Sequence, residues 1–142
     1  MRPFDKRVYL AGAISCFYED GHPEKAILWR EKAEKYLADK LDIKCFNPCL
    51  EGKDCWKYPQ GGVITQNYFY LQNCDIILVN LDKISESIGT IWELSMAWRD
   101  HKTVIAFGGT PWLERAHMRN LISVKLDTLD DALKYIGDMY NI

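Results

Sequence analysis

The residue of this sequence best suited to chemistry is Glu93, a single carboxylate inside an otherwise apolar helical segment. The segment from Ile88 to Trp98 leaves almost no polar face, which is typical of a helix buried on most sides. An ionised carboxylate buried there is costly unless it is paired or used. Glu93 could close a capping box with Thr90, in the pattern T-x-x-E. It could equally be a nucleophile held near the positive end of a helix, with Gly89 allowing a ligand to approach closely.

A nucleophile at this place needs a strand in front of its helix, and the run Asp75–Asn80 is typical of a parallel strand covered on both faces. Strand and helix patterns alternate along the chain. They predict a single domain over residues 1–142, with an α/β doubly wound parallel sheet of about five strands and helices on both faces. The predicted elements are strand Val8–Ala11, a helix from about Pro23, strand Ile43–Phe46, a loop over Leu50–Gly62, a helix over Val63–Leu71, strand Asp75–Asn80, helix Ile88–Arg99, strand Thr103–Phe107, a short helix over Trp112–Met118, strand Leu121–Leu126 and a helix over Leu129–Tyr140.

Ligands of such folds bind beyond the carboxyl ends of the strands. We therefore expect substrate contacts in four segments, namely Gly12–Phe17, Asn47–Tyr58, Leu81–Thr90 and Gly108–Pro111. Gly12, Ala13 and Ile14 follow the first strand but do not form a G-x-G-x-x-G motif, so dinucleotide binding has little support. Trp56 and Tyr58 could stack on a base or cover the apolar edge of the sheet.

Three blocks of sequence together resemble the nucleoside 2-deoxyribosyltransferase family: Tyr9–Gly12, the strand Asp75–Val79, and the stretch S-I-G-T-I-W-E-L-S-M-A over Ser87–Ala97. Their order and spacing agree with the family over nearly the whole chain. The resemblance implies a flavodoxin-like oligomer that breaks and remakes N-glycosidic bonds without a metal or an organic cofactor. It also implies that Glu93 is the nucleophile and that Tyr9 orients it.

This chemistry agrees with the residue types. Cleavage of a C1′–N bond produces an oxocarbenium-like centre, which a carboxylate can trap as a glycosyl ester. A second base, or water, then attacks the ester with overall retention of configuration.

The sequence departs from the family where an aspartate often helps to protonate the departing base. That position corresponds to Asn67, which cannot do acid–base work. Asp75 is close in sequence but opens its strand at the end away from the pocket. Asp82, at the carboxyl end of the same strand, is the better placed substitute.

Two further positions concern substrate binding. Many transferases have an aspartate where this chain has Ser87, and a serine is similar to the family's nucleotide N-glycosidase branch, where hydroxyls receive a 5′-phosphate. Ser87 could contact a phosphate beside a helix N-terminus, or it could be a solvated N-cap. Asn120 resembles the segment that the family lends to a neighbouring subunit's pocket.

Composition excludes several classes of protein. Eighteen basic and twenty acidic residues give a formal charge of −2, which argues against binding to a nucleic-acid polymer. The apolar run Thr103–Leu113 is about half as long as a membrane span requires, and no signal segment opens the chain. We therefore expect a cytoplasmic protein without a membrane partner. The five cysteines lack paired C-x-x-C spacing and a nearby histidine, so reduced thiols are favoured over a metal site.

The apolar helix also predicts self-association. Ile91, Trp92, Met96 and Trp98 cannot all face one sheet, and a monomer rarely exposes so large an apolar patch. We expect a symmetric homo-oligomer, at least a dimer, with the helix over residues 88–99 at the interface.

Three functions remain open on the sequence alone. The first is a deoxyribosyltransferase acting on nucleosides and free nucleobases. The second is a hydrolase of nucleoside 5′-monophosphates, which Ser87 and the missing carboxylate at Asn67 favour. The third is a non-catalytic nucleotide-binding domain in which Glu93 is only a helix cap.

Overall fold

The centre of the protein is a sheet of five parallel strands in the order β2-β1-β3-β4-β5. The computed structural model describes residues 6–51, 60–109 and 116–141. The strands are β1 (Arg7–Gly12), β2 (Lys44–Phe46), β3 (Ile76–Asn80), β4 (Thr103–Phe107) and β5 (Val124–Lys125). This strand order is that of flavodoxin-like proteins, and it confirms the predicted α/β fold.

The three inner strands, β1, β3 and β4, lie in the core, and their register determines which residues meet at the carboxyl edge of the sheet. Every residue of β3 is buried, because β1 and β4 flank it and helices cover both its faces. In the register of the sheet, Tyr9 lies opposite Ile77, and Gly12 lies opposite Asn80. The carboxyl ends of β1 and β3 therefore meet at one edge, where a ligand site is expected.

Helices cover both faces of the sheet, as predicted. They are α1 (Ser15–Glu19), α2 (Glu24–Leu41), α3 (Pro48–Glu51), α4 (Gln60–Gln72), α5 (Ile88–Arg99), α6 (Ala116–Leu121) and α7 (Leu129–Tyr140), with a 3-10 turn at Ile84–Glu86. Leu71, Leu94 and Met118 bring α4, α5 and α6 into a core with Tyr9. Leu37 of α2 and residues of α7 form a second core on the opposite face, with Leu10.

The region predicted as a loop over Leu50–Gly62 contains helix at both of its ends. Helix α3 ends at Glu51, and α4 begins at Gln60 rather than at Val63. The prediction failed because Gly61 and Gly62 have low helix propensity, yet α4 includes both.

Two other boundaries differ from the sequence pattern. Helix α1 was not predicted and begins directly after Ile14. Strand β5 has 2 residues instead of spanning Leu121–Leu126, because Leu121 is the last residue of α6. Part of the helix predicted over Trp112–Met118 lies outside the described residues.

No helix in the described ranges is both long and apolar enough to cross a bilayer.

Candidate active site

Helix α5 places Glu93 near its amino end, beside the carboxyl edge of the sheet. Ser87 is the N-cap, because its Oγ accepts a hydrogen bond from the Thr90 backbone N–H at 3.4 Å and lies 2.6 Å from Thr90 Oγ1. Thr90 is thus the third residue inside the helix, and Glu93 lies in the second turn. The capping-box interpretation of Glu93 is therefore wrong, whereas the N-cap interpretation of Ser87 is confirmed.

The carboxyl group of Glu93 is buried without a hydrogen-bond partner on one of its oxygens. Oε2 is inaccessible to solvent, and no described residue donates to it. Burial raises the pKa of Glu93 to about 7, against the opposing influence of Tyr9 and of the positive charge of Arg30. The carboxyl group is therefore divided between its acid and its anion near neutral pH.

Tyr9 lies next to this carboxyl group at the end of β1. Its ring is fully buried and packs on Phe46 with 5.1 Å between ring centroids. Burial raises the pKa of Tyr9 far above its ordinary value, and the negative charge of Glu93 raises it further. The phenol is therefore neutral. Tyr9 and Glu93 lie close enough for a side-chain hydrogen bond between them to act on the pKa of both groups, although Tyr9 Oη and Glu93 Oε2 have no partner of normal hydrogen-bond geometry among the described residues.

The backbone after β1 turns at Gly12, where φ is +155°. A Cβ at this position would lie 3.2 Å from Trp29 Cζ2 and 3.3 Å from Arg30 Nη2, so glycine permits the close packing of α2 under the strand end. Ala13 is buried among α1 and α2, and Ile14 is half-buried. Of the three predicted contacts after β1, Ile14 alone has an accessible side chain.

Asp82 lies at the same edge, where its side chain is exposed. Asn80 is buried and its Oδ1 accepts a hydrogen bond from the Asp82 backbone N–H at 3.0 Å. Gly108, with φ of +78°, passes so close that a Cβ there would lie 2.9 Å from Asp82 Oδ1. The charge of Asp82 has no resolved effect on the pKa of Glu93.

The remaining predicted residues are placed as follows. Asn67 is half-buried in α4, Gly89 is exposed in the first turn of α5, and Asn120 is exposed on α6. Trp56 lies outside the described residues, as does Tyr58. The described structure therefore brings Tyr9 and Glu93 together, and Ser87 with Thr90, but it shows no contact of Asn67 or Asn120 with them.

Sequence reasoning missed Arg30, and it included Asn47 only as part of the segment Asn47–Tyr58. Asn47, which follows β2, accepts a hydrogen bond from the Cys49 backbone N–H, and its Nδ2 has no partner among the described residues. Arg30 is fully buried under the end of β1. A signal for it was present, since Arg30 occupies a core position in the helical spacing of the buried residues Ala26, Ala33 and Leu37.

Within residues 6–51, 60–109 and 116–141, no three His, Cys, Asp or Glu side chains form a group that could hold a metal ion. The four described cysteines (Cys16, Cys45, Cys49 and Cys74) carry free thiols.

The edge of the sheet therefore offers a carboxyl group with a pKa near neutrality, a neutral phenol beside it, and a helix amino end. A carboxylate of this kind can attack an electron-poor carbon as a nucleophile. Its acid form can donate a proton instead. The residue types alone do not decide between these two uses.

Comparison with known proteins identifies the fold and the family. The sequence model of the family described as "Nucleoside 2-deoxyribosyltransferase like" matches residues 5–108. No curated protein matches the chain significantly.

Three solved structures are similar to this chain. A 2-deoxyribosyltransferase from Bacillus psychrosaccharolyticus has 20% identity, a TM-score of 0.68 and coverage of 91% of each chain. A conserved protein from Enterococcus faecalis V583 has 17% identity and a TM-score of 0.68, with coverage of 94% of this chain and 98% of the other. The CMP N-glycosidase BcmB from Clostridium botulinum has 20% identity, a TM-score of 0.49 and coverage of 95% and 99%.

The first two likenesses agree with the fold described above. The family match extends from just before β1 to the end of β4, so it includes Tyr9, Ser87 and Glu93. This confirms the resemblance found in the sequence, and the chain belongs to the nucleoside 2-deoxyribosyltransferase-like family.

Proposed function

We propose that this protein cleaves the N-glycosidic bond of (deoxy)nucleosides and transfers the sugar to another nucleobase through a covalent ester on Glu93. In the first half, a carboxylate oxygen of Glu93 bonds to C1′, and the C1′–N bond breaks with its electron pair moving to the departing base, which takes up a proton. In the second half, a nitrogen of the incoming base attacks C1′, loses its proton, and releases the carboxylate.

The observation that carries this proposal is the buried Glu93 carboxyl beside the Tyr9 hydroxyl, with Oε2 and Oη both lacking a hydrogen bond of normal geometry among the described residues. Buried polar atoms are normally hydrogen-bonded, and exceptions call for an explanation. A nucleophile must keep a lone pair available for the reacting carbon, so an unpartnered oxygen is what the role requires. The family match supports the same assignment.

Tyr9 orients the nucleophile in this proposal. Because its phenol is neutral and lies beside the Glu93 carboxyl, it can donate a hydrogen bond to the carboxylate. The proton for the departing base is assigned to Asp82, since Asn67 has no acid form and Asp82 lies at the carboxyl end of β3. Gly12, Ala13, Ile14, Gly89 and Thr90 shape the sugar site through the backbone at the strand and helix ends, and Trp56 and Asn120 contribute from the neighbouring segments.

The experiment is a product assay with two substrates. Deoxyinosine plus free adenine should yield deoxyadenosine if the protein is a transferase. A 2-fluoro-2-deoxy nucleoside should leave a sugar ester on the peptide that contains Glu93, detectable by mass spectrometry and absent from Glu93→Gln. If neither product nor adduct forms with any nucleobase pair, the result favours a non-catalytic nucleotide-binding domain.

A second candidate is hydrolysis of nucleoside 5′-monophosphates, and the position of Ser87 favours it. The Ser87 hydroxyl lies at the amino end of α5, where the helix dipole favours an anion. Release of free base and sugar phosphate from a deoxynucleoside monophosphate would identify this activity. Ser87→Ala should then weaken monophosphate binding by about 1–3 kcal/mol and leave nucleoside binding unchanged; an equal effect on both ligands would remove this candidate.

We also propose that α5 joins two copies of the chain. Ile88 is 84% exposed and Trp98 is 58% exposed, and Phe69 of the adjacent α4 is 58% exposed. These exposed apolar side chains, with the partly exposed Trp92, are the surface on which we expect a symmetric partner to pack. Light scattering at micromolar concentration should show at least twice the 16.5 kDa of one chain.

A further inference from the structure

Arg30 is the largest fully buried side chain that the proposed reaction leaves unassigned. Its Nη2 donates to the carbonyl oxygen of Gly12 at 2.9 Å, and its Nε donates to that of Leu10 at 3.3 Å. Its Nη1 donates to the carbonyl oxygen of Ala26 at 2.7 Å and contacts Cys49 Sγ at 3.5 Å. The guanidinium also stacks on Trp29, with 4.6 Å from Cζ to the ring centroid.

None of these partners carries a negative charge. Within the described part of the chain, Arg30 forms no ion pair, although a buried cation without a contacting anion is costly. A neutral donor could satisfy the three carbonyl oxygens at a much lower cost of desolvation. The charge itself therefore requires an explanation beyond the hydrogen bonds.

We propose that Arg30 is a positioning residue for Glu93: it binds the carboxyl end of β1 and supplies a buried positive charge that stabilises the anion of the nucleophile. This inference rests on the proposed function, in which Glu93 must be ionised to attack the sugar.

The topology places the two charges in this relation. Helix α2, which carries Arg30, packs in the core that contains Leu10. Helix α5, which carries Glu93, packs in the core that contains Tyr9. The guanidinium binds the backbone carbonyl oxygens of Leu10 and Gly12, and Tyr9 of the same strand lies beside Glu93, so both charges lie at the carboxyl end of β1.

Few charges compete with Arg30 at this place. Among the described residues, only Tyr9 of β1 and Arg30 of α2 act on the pKa of Glu93 besides burial. The other described elements packed against α5 carry Tyr68 and Tyr70 on α4, His117 and Arg119 on α6, and Glu86 in the 3-10 turn, and none of these shifts it. Strand β4 has no ionisable side chain.

The charge matters because Glu93 titrates close to neutral pH. With a pKa of about 7, half of the sites are ionised at pH 7. If loss of the Arg30 charge raised that pKa by roughly 1 unit, about one site in eleven would remain ionised at pH 7. Activity at pH 7 would fall about fivefold and would recover near pH 9. A purely structural residue would instead lower the rate equally at all pH values.

The test measures Glu93 in the free protein, so it does not depend on the substrate. Protein labelled with ¹³C at the glutamate carboxyls is titrated by NMR, and the Glu93 signal is identified by its absence in Glu93→Gln. We expect Arg30→Gln, which removes the charge, to raise the midpoint by roughly 1 unit. Arg30→Lys, which retains the charge, should keep it near the wild-type value. A folded Arg30→Gln protein with the wild-type midpoint would overturn the proposal.

A second pair of variants leaves Arg30 and its carbonyl contacts in place. Cys49→Asp puts a carboxylate where a thiol now lies 3.5 Å from Nη1, so it should pair with the guanidinium and cancel its charge. Cys49→Asn has the same size and shape without the charge. The aspartate should raise the Glu93 midpoint above that of the asparagine variant, and equal midpoints would contradict the role of Arg30. If the proposed function is correct, the same shift should appear in the acid limb of the plot of reaction rate against pH. A shifted NMR midpoint in a protein without any activity would reject the proposed function but not the effect of Arg30 on Glu93.

Discussion

Two helices on opposite faces of the sheet each place one buried charged group at the end of β1. The two groups differ in their hydrogen bonding. Arg30 of α2 has its donors bound to the carbonyl oxygens of Leu10, Gly12 and Ala26. Glu93 of α5 keeps Oε2 without any partner in the described structure. A buried group with full hydrogen bonding stabilises a fold, whereas a buried group without it is costly to stability and remains available for reaction. The difference separates the rigid support of the site from its reactive group.

The strongest test of this contrast is the rate after Glu93→Gln. The amide keeps the size of the side chain but cannot form a stable glycosyl ester, so we expect turnover to fall by a factor of about 10³ or more, or about 4 kcal/mol of barrier. Single-turnover kinetics with a deoxynucleoside would measure it. Wild-type turnover in the variant would remove Glu93 from the chemistry.

Arg30→Met should have the largest effect on stability. Methionine fills the space but leaves the carbonyl oxygens of Leu10 and Gly12 without donors, so the free energy of unfolding should fall by about 3–5 kcal/mol. Urea unfolding would measure the loss, and Lys32→Met, which removes an exposed ion pair with Asp130, is the matched control. If both variants lost the same small amount, Arg30 would not be a structural support.

The stability of the wild-type protein should depend on pH through Glu93. Burial raises its pKa from 4.5 to about 7 on folding, so the folded state binds a proton that the unfolded state releases. The stabilisation is fully present below pH 4.5 and is lost as pH rises through about 7. Over this range the unfolding free energy of the wild type, relative to Glu93→Gln, should fall by about 3 kcal/mol. Parallel curves of unfolding free energy against pH for the two proteins would show that folding does not raise the pKa of Glu93.

Tyr9→Phe should have the smallest effect of the four. Its hydroxyl acts on the Glu93 carboxyl but has no hydrogen bond of normal geometry in the described structure, so its removal should change the unfolding free energy little. We expect the rate to fall by about 10–100-fold, because the carboxylate loses only its orienting donor. A clear loss of stability would mean that Oη is bonded in the folded protein in solution.

The sequence predicted the elements whose pattern is local. The aliphatic run at Asp75–Asn80 and the apolar helix from Ile88 are strong signals of periodicity, and both were confirmed within one residue. Helix α4 began earlier than predicted because Gly61 and Gly62 contradict helix propensity.

The site was less accessible to sequence reasoning. Thr90 and Glu93 matched a capping box in spacing, but Ser87 three residues earlier has the backbone angles of the cap. Arg30 was missed because the sequence pattern predicts that a charged residue is exposed. Only its carbonyl partners explain why it is buried. Those carbonyls belong to β1, about twenty residues away in sequence, and no local pattern records such a contact.

The lengths of the strands have a consequence for how copies of the protein can meet. The outer strands β2 and β5 have 3 and 2 residues, whereas the inner strands have 5 or 6. An outer strand this short offers few unpaired N–H and C=O groups to an incoming strand, which is how natural sheets avoid growing into aggregates. Sheet extension by a second chain is therefore disfavoured at both borders of the molecule, and association is left to the helical surfaces.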